Sequence, residues 1–324
     1  MHGSFKHVWR IVVPTPWPIG PVNAYVIDDD PLTLVDTGPA SPEAMAAIEA
    51  GLAERGRRVE DLERIVLSHQ HTDHWGMAAT LVARSGAEIC ALEGFDGYMA
   101  RYPDSLLAED RFADDLLARH GASVAASGAA VYRGDLDFAA AVATDRPLRD
   151  GHVLEFAGGA LRVLHRPGHS PSDTVFLDET RRLMLGADHV MAKRSVAIMA
   201  PPLDGGAVVQ RPRALADYRA SLGATEALDV DLVLPGHGEP VRDPHGTIAK
   251  RLRGYERMTA RVGEAVDARP RTAIEIARRV RGGAVTDASA FFLLCDALGH
   301  LDDLLDAGAV TEINEGGLTR FAAA

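Results

Sequence analysis

Cysteine is scarce: Cys90 and Cys295 are the only two in 324 residues. A disulfide framework is therefore not the basis of this fold. Each thiol stands in apolar sequence and reads as a small buried hydrophobe rather than a ligand. Long apolar runs are missing as well. No stretch approaches the roughly 20 residues of a membrane-spanning helix. Near the start, Ile11-Val12-Val13 is cut by Pro14, so no signal peptide is read there and a cytoplasmic location is expected. Positive charge is in deficit, with 34 Lys and Arg against 46 Asp and Glu, a net charge of −12. That argues against a general nucleic-acid or membrane-surface binder. There are no internal repeats and no low-complexity tracts. What is present is ordinary globular composition, 47% hydrophobic and 25% charged. It is enough for one large domain plus a small one, or for two domains.

Against that background one stretch stands out: Ser68-His69-Gln70-His71-Thr72-Asp73-His74-Trp75-Gly76. Three histidines and one aspartate fall within six positions, directly after the apolar run Ile65-Val66-Leu67. Buried imidazoles and carboxylates need partners. A metal at a strand's end supplies them, because imidazole nitrogen and carboxylate oxygen are ligands that zinc takes. A solvated histidine-rich turn is the plainer alternative, and the density of the cluster together with its distant counterparts favours the metal.

The chain around this loop alternates strand and helix. Residues 8–13 and 22–27 read as strands joined by a proline-rich connection. Leu32–Val35 is a strand ending in the acidic turn Asp36-Thr37-Gly38. Ser41-Pro42-Glu43 opens a helix, with Ser as N-cap and Pro at the first position. Strand 64–67, the histidine loop, a helix over 77–84 and strand 87–92 follow. This is α/β patterning, with chemistry expected at the carboxyl ends of strands. Residues 95–145 read as a helical insertion, either a lid or pocket wall, or a helical pair covering a sheet edge. Strands are then expected at 153–156, 161–165, 174–177, 182–185 and 232–234, with a helix over 209–222. From 246 the character changes to a basic amphipathic helix, with ten Lys and Arg against four Asp and Glu between Lys250 and Arg281. A capping box at Thr272 and Glu275 opens a second helix, a third covers 289–305, and a hairpin closes the chain.

Further ligand-type residues recur at strand ends: Asp36, His169 in Pro167-Gly168-His169, Asp188 in Gly186-Ala187-Asp188, and His237 in Pro235-Gly236-His237-Gly238. Glycine beside three of them suits sharp turns towards a common centre.

Taken in order, these elements resemble the metallo-β-lactamase fold superfamily of metallohydrolases. The His-x-His-x-Asp-His motif is His69 to His74, preceded by Asp36 and followed by His169, Asp188 and His237. The resemblance implies an α/β, four-layer αβ/βα sandwich over residues 1–245, with the metals in a groove at one edge. Residues 246–324 resemble the small winged-helix-like C-terminal domain of one branch. The resemblance also implies the roles. His69, His71 and His169 hold one divalent ion; Asp73, His74 and His237 hold a second; Asp188 bridges them. Asp36 stands behind the ligands and orients them. His189, beside a motif position, is read from the residues as standing behind a ligand, with simple packing as the alternative. Asp73 doubles as orienter of the hydroxide.

Two ions about 3.5–4 Å apart share a hydroxide and polarise a carbonyl or phosphoryl oxygen. Mixed nitrogen and oxygen donors suit zinc, with iron or manganese as alternatives. The reading that follows is a dinuclear metal-dependent hydrolase acting on a small-molecule thioester or ester. An endoribonuclease or phosphodiesterase is the first alternative and a lactonase the second. Tyr98, Tyr102, Met191, Lys193 and Ser195 are the candidate substrate contacts. The basic stretch Lys250–Arg261 is either a carrier-group contact or a solvated helix face. The C-terminal module is read as dimerising or buttressing the groove.

Overall fold

A computed structural model describes residues 8–122, 133–193, 195–282 and 289–324. A first sheet of six strands runs in chain order: β1 (Val8–Val13), β2 (Val22–Ile27), β3 (Thr33–Val35), β4 (Arg64–Val66), β5 (Glu88–Leu92) and β6 (Arg146–Leu148). β1 to β3 pair antiparallel, and β3 to β6 pair parallel. Pro147 lies in the last of these, at the sheet's edge, where a missing N–H is tolerated. A second sheet has the order β11-β10-β9-β8-β7, made of β7 (Val153–Phe156), β8 (Gly159–His165), β9 (Thr174–Asp178), β10 (Leu183–Ala187) and β11 (Leu232–Pro235).

Side-chain alternation along the strands makes the layers. Leu34, Ile65 and Ile89 point to a core shared with α1 (Pro42–Ala53) and, beyond the short α2 (Thr72–Trp75), with α3 (Ala78–Ser85). Their neighbours Val35, Val66 and Cys90 point the other way, onto Leu161, Val163, Phe176 and Leu185 of the second sheet. The outer face of that sheet, with Leu164, Val175, Met184 and Val233, is covered by later helices. The order is helix, sheet, sheet, helix, as expected. Both cysteines are free and buried.

Local signals hold where they rest on capping. The Ser41 hydroxyl accepts from the Ala44 amide at 3.1 Å and starts α1. The capping box of Thr272 and Glu275 is formed in both directions, at 2.8 and 3.3 Å. The helix expected over 209–222 begins later, as α6 (Ala214–Glu226). Pro212 disfavours helical backbone before it, which leaves Val209 89% exposed. In the insertion, α4 (Phe95–Ala100) and α5 (Asp104–Arg119) form as helices. A 3-10 turn at Arg133–Phe138 follows, and residues 123–132 lie outside the described residues.

The C-terminal part contains α7 (Pro244–Ala265), α8 (Ala273–Arg281) and α9 (Ala290–Asp306), with a three-stranded sheet of β12 (Arg271–Thr272), β13 (Val310–Glu315) and β14 (Leu318–Ala323). The expected closing hairpin is there, turning at Gly316-Gly317. Tyr255, Phe291, Leu294 and Phe321 share one apolar core with the second sheet and with Leu116 and Leu117 of α5. Among the described residues no helix is long and apolar enough to cross a membrane.

One packing contact has a pH consequence. His120, at the end of α5, is buried and stacks on Phe321 at 6.0 Å between ring centroids. Burial, with Arg211 and Arg119 nearby, pushes its imidazole down to about 3. In the unfolded chain it titrates near 6.5. The unfolded state therefore binds more protons as pH falls below about 6.5, and stability present above that pH is lost, by up to about 1.4 kcal/mol per pH unit. Urea unfolding of His120→Phe is expected to show a shallower loss between pH 6.5 and 5 than the parent chain. Equal slopes would disprove this contribution.

Candidate metal centre

Apart from Asp73 and His74, the ligand-type residues singled out in the sequence lie beyond the ends of strands. Asp36 follows β3, His69 and His71 follow β4, His169 follows β8, Asp188 follows β10 and His237 follows β11. Asp73 and His74 lie on α2. The two sheets present these ends side by side, and three overlapping donor groups result: His69, His71 and His169; Asp73, His74 and His237; and His69, His74 and Asp188. Within each group the donor atoms lie within 4.8 Å of one another.

Hydrogen bonds behind the rings decide which nitrogen faces inward. His74 Nδ1 donates to Asp36 Oδ2 at 2.8 Å. His69 Nδ1 donates to Ser68 Oγ at 2.9 Å, and Ser68 Oγ passes the bond on to Asp36 Oδ2 at 2.8 Å. His169 Nδ1 donates to the Val196 carbonyl at 2.9 Å, with Ser195 Oγ at 3.1 Å sharing the proton. His237 Nδ1 donates to the Pro21 carbonyl at 2.9 Å. An acceptor behind each ring fixes the proton on Nδ1 and turns the Nε2 lone pair to the centre. His71 is the exception. Its Nδ1 faces inward, 3.0 Å from His69 Nε2 and 2.9 Å from His169 Nε2.

The centre is electrostatically built for a cation. His74 Nε2, His237 Nε2 and Asp188 Oδ1 are buried without a well-aligned hydrogen bond, although Asp73 Oδ2 lies 3.2 Å from His237 Nε2 and Asp188 Oδ1 lies 3.4 Å from His74 Nε2. Such atoms are costly unless something else satisfies them, and their chemistry is that of metal donors. Burial would depress the His74 imidazole, yet Asp73, Asp188 and Asp36 raise it well above its usual range. Burial alone would raise Asp188, yet His237, His74 and His169 hold it well below the usual carboxylate range. On the His69–His71 side burial dominates. It drives His69 far down and His71 to about 3, with the neighbouring imidazoles adding to the effect. Neutral imidazoles are what a metal requires.

The turn carrying His237 is held by β2. The Asn23 amide group donates to the carbonyls of Pro235 and Gly238, both at 2.9 Å, and Tyr25 Oη donates to Pro235 at 2.8 Å. Gly236 serves space rather than an unusual φ: a Cβ there would lie 2.3 Å from Asp188 Oδ1 and 2.7 Å from His74 Cε1. Gly236→Ala is therefore expected to lose at least half its metal content with circular dichroism unchanged. Parent-level metal content would refute that.

The other candidates are dispersed. Tyr98 and Tyr102 are buried, with their rings around Trp75. Tyr98 Oη donates to Glu109 at 3.2 Å, and Tyr102 Oη to the carbonyl of Leu136 at 2.8 Å. Met191 is buried in loop packing, Lys193 is exposed, and Ser195 lies behind His169. His189 does not touch a ligand ring; its Nε2 meets Thr225 Oγ1 at 2.8 Å on α6. Of the basic stretch, Arg251 is buried and the charged residues Lys250, Arg253, Arg257 and Arg261 are exposed.

Sequence reading did not single out Ser68, Asn23, Gln70 or Glu109. Gln70 ties the loop down: its amide N–H donates to Ser172 Oγ at 2.9 Å, and its Nε2 to Glu109 Oε1 at 3.1 Å. Burial pushes Glu109 up to about 7, against the bonds from Gln70 and Tyr98. A polar residue between two clustered histidines was the available signal.

Comparison with known proteins agrees with this geometry. Residues 17–237 match the family model of the metallo-beta-lactamase superfamily. The chain is 31% identical over 317 residues to the probable metallo-hydrolase YqjP of Bacillus subtilis, covering 98% of both chains. It is 24% identical over 233 residues to an atrochrysone carboxyl ACP thioesterase of Aspergillus fumigatus, covering 72% of this chain but only 41% of the fungal protein. Among solved structures, a metallo-beta-lactamase family protein of Thermus thermophilus superposes with a TM-score of 0.82 at 25% identity, covering 98% of each chain.

Proposed function

Since the chain belongs to the metallo-β-lactamase superfamily, a family of metallo-hydrolases, we propose that it holds two divalent ions and hydrolyses a small-molecule thioester or ester. The observation that carries the dinuclear reading is the orientation of the donors. Four Nε2 lone pairs and the Nδ1 of His71 converge on Asp73 and Asp188, with an acceptor behind each of the four. The donor set of five imidazoles and two carboxylates suits zinc.

Bound ions of this kind act as Lewis acids towards an acyl oxygen and lower the pKa of water to about 7. The chain's own residues do the rest. The bonds behind four of the rings hold a proton on Nδ1 and aim Nε2 at the centre. Asp73 has 14% side-chain exposure, against 4% for Asp36 and 6% for Asp188. We assign it the double role of ligand and orienter of the attacking water. In the reaction, water adds to the acyl carbon, the C–S or C–O bond breaks, and the thiol or alcohol leaves with a proton.

A wall for the acyl group is offered beside α2. Trp17, from the β1–β2 connection, meets Phe138 edge-on at 5.1 Å and donates from Nε1 to Asp135 at 2.8 Å. The carbonyl of Phe138 accepts from the Ala40 amide at 2.7 Å, in the loop that follows Asp36. Burial raises the Asp135 carboxyl to about 6, with Asp73 adding to the rise, so this wall lies within the electrostatic reach of the centre. Half-buried aromatic faces suit an apolar acyl group. The thioesterase name of the fungal relative supports the thioester over the other bonds.

The test is a substrate panel on the zinc-loaded protein: acyl-CoA and glutathione thioesters, lactones, bis-p-nitrophenyl phosphate and single-stranded RNA. Thioesters are expected to turn over at least tenfold faster than the rest. RNA cleavage without thioester hydrolysis would overturn the substrate class.

A further inference from the structure

Residues 189–193, directly after Asp188, are held by a residue far away in the sequence. Arg251 projects from α7 with only 9% exposure. Its Nη1 donates to the His189 carbonyl at 3.2 Å and to Tyr218 Oη at 2.8 Å. Its Nη2 donates to the carbonyls of Met191 at 2.7 Å and Lys193 at 2.9 Å. Four of the five N–H groups of the guanidinium are thus spent, three of the bonds going to one loop. Among the described residues no carboxylate pairs with it, so a buried charge is satisfied by neutral oxygens alone. Such an arrangement is expensive unless the acceptors are held in place.

That loop leads to the metal centre at both ends. It begins directly after Asp188. It ends at Ser195 and Val196, the two acceptors behind His169 Nδ1. Helix α6 closes the other side. Tyr218 Oη donates to the same His189 carbonyl at 2.6 Å, and Ser221 Oγ donates to the Pro167 carbonyl at 2.8 Å. Gly168, at a φ of +143°, passes so close that a Cβ would lie 2.3 Å from Tyr218 Cα.

We propose that Arg251 is a positioning residue for the metal centre, fixing the loop after Asp188 so that Ser195 and Val196 orient His169. The inference rests on the metal-centre reading above. It gives the C-terminal helices a specific task at the site: α7 acts on the His69–His71–His169 group through His169, and reaches His74 and His237 only by way of Asp188.

The experiment is titration of the metal-free full-length chain with zinc against a competing chelator, for the parent, Arg251→Met, Arg251→Lys and Ser195→Ala. Methionine keeps an unbranched stem without the donors, and lysine keeps the charge without the fork. The expected result for Arg251→Met is a ten- to hundredfold weaker affinity, as a rough range, for one of the two ions, with a much smaller change for the other. Arg251→Lys is expected to recover part of the loss. Ser195→Ala should weaken the same ion more mildly. A purely structural role would lower stability without changing the ratio of the two affinities. If Arg251→Met does not fold, Arg251→Lys and Ser195→Ala carry the decision. Parent-like affinities for both ions in the folded variants would overturn the proposal while leaving the centre intact. A parent chain that binds no zinc would overturn the metal-centre reading and this proposal together.

Discussion

Asp188→Ala is expected to lower kcat/KM by at least about a thousandfold, roughly 4 kcal/mol of transition-state stabilisation. The fold should survive, because the side chain lies among His74, His169 and His237 and outside the apolar cores. Its Oδ1 is 3.4 Å from His74 Nε2, and its Oδ2 is 3.5 Å from His169 Nε2 and 3.7 Å from His237 Nε2. Among the described residues it is the carboxylate that meets histidines of both outer donor groups. Alanine leaves a crowded cluster of imidazoles with one negative charge fewer. A cation is then held less well, and the two donor groups no longer share an oxygen ligand. Steady-state kinetics beside circular dichroism and metal analysis would check this. A folded variant that keeps more than a tenth of parent turnover would refute the bridging role.

Asp36→Asn is expected to cost about ten- to a hundredfold in metal affinity, with a comparable loss of activity. Asp36 takes three bonds: from the Ser68 amide at 2.9 Å, from Ser68 Oγ at 2.8 Å and from His74 Nδ1 at 2.8 Å. It does so at a φ of +58°. Asparagine tolerates that backbone, so the turn is preserved. It has only one acceptor oxygen, however. An NH2 placed at the Oδ2 position would donate towards His74 Nδ1 and drive that ring's proton onto Nε2, the ligand atom. It would also strand the hydroxyl proton that Ser68 passes on from His69. Chelator competition on the zinc form measures the effect. Unchanged affinity for both ions would show that the tautomers are set elsewhere.

The residues that meet at the centre were legible because ligand-type chemistry is local in sequence. His69 to His74 is dense enough to resist any packing explanation, and His169, Asp188 and His237 are each marked by an adjacent turn. The layers were expected from the family resemblance; the strands themselves read only as short apolar runs, because Leu34 and Val35, like Ile65 and Val66, are buried on opposite faces and are both apolar. What stayed hidden is what depends on distance or on the anonymous backbone. Pro21 and Val196 orient His237 and His169 through carbonyls, which any residue carries. His71 turns the opposite ring nitrogen inward from the other four, and no spacing encodes that choice. Arg251 reads as one more charge on a basic helix until α7 is seen against residues 189–193. Gly236 looked like a turn glycine, and its actual constraint is the closeness of Asp188 and His74. The start of α6 was misplaced because apolar Val208-Val209 drew the helix forward past Pro212.

A two-ion centre in which Asp73, His74 and His237 hold one ion can be tested by counting ions. Elemental analysis of the purified chain after zinc loading and exhaustive dialysis addresses it directly, with His237→Ala measured in parallel. Two zinc ions per parent chain and one per His237→Ala chain are the expected result. One ion or none in the parent, or two in the variant, would contradict it.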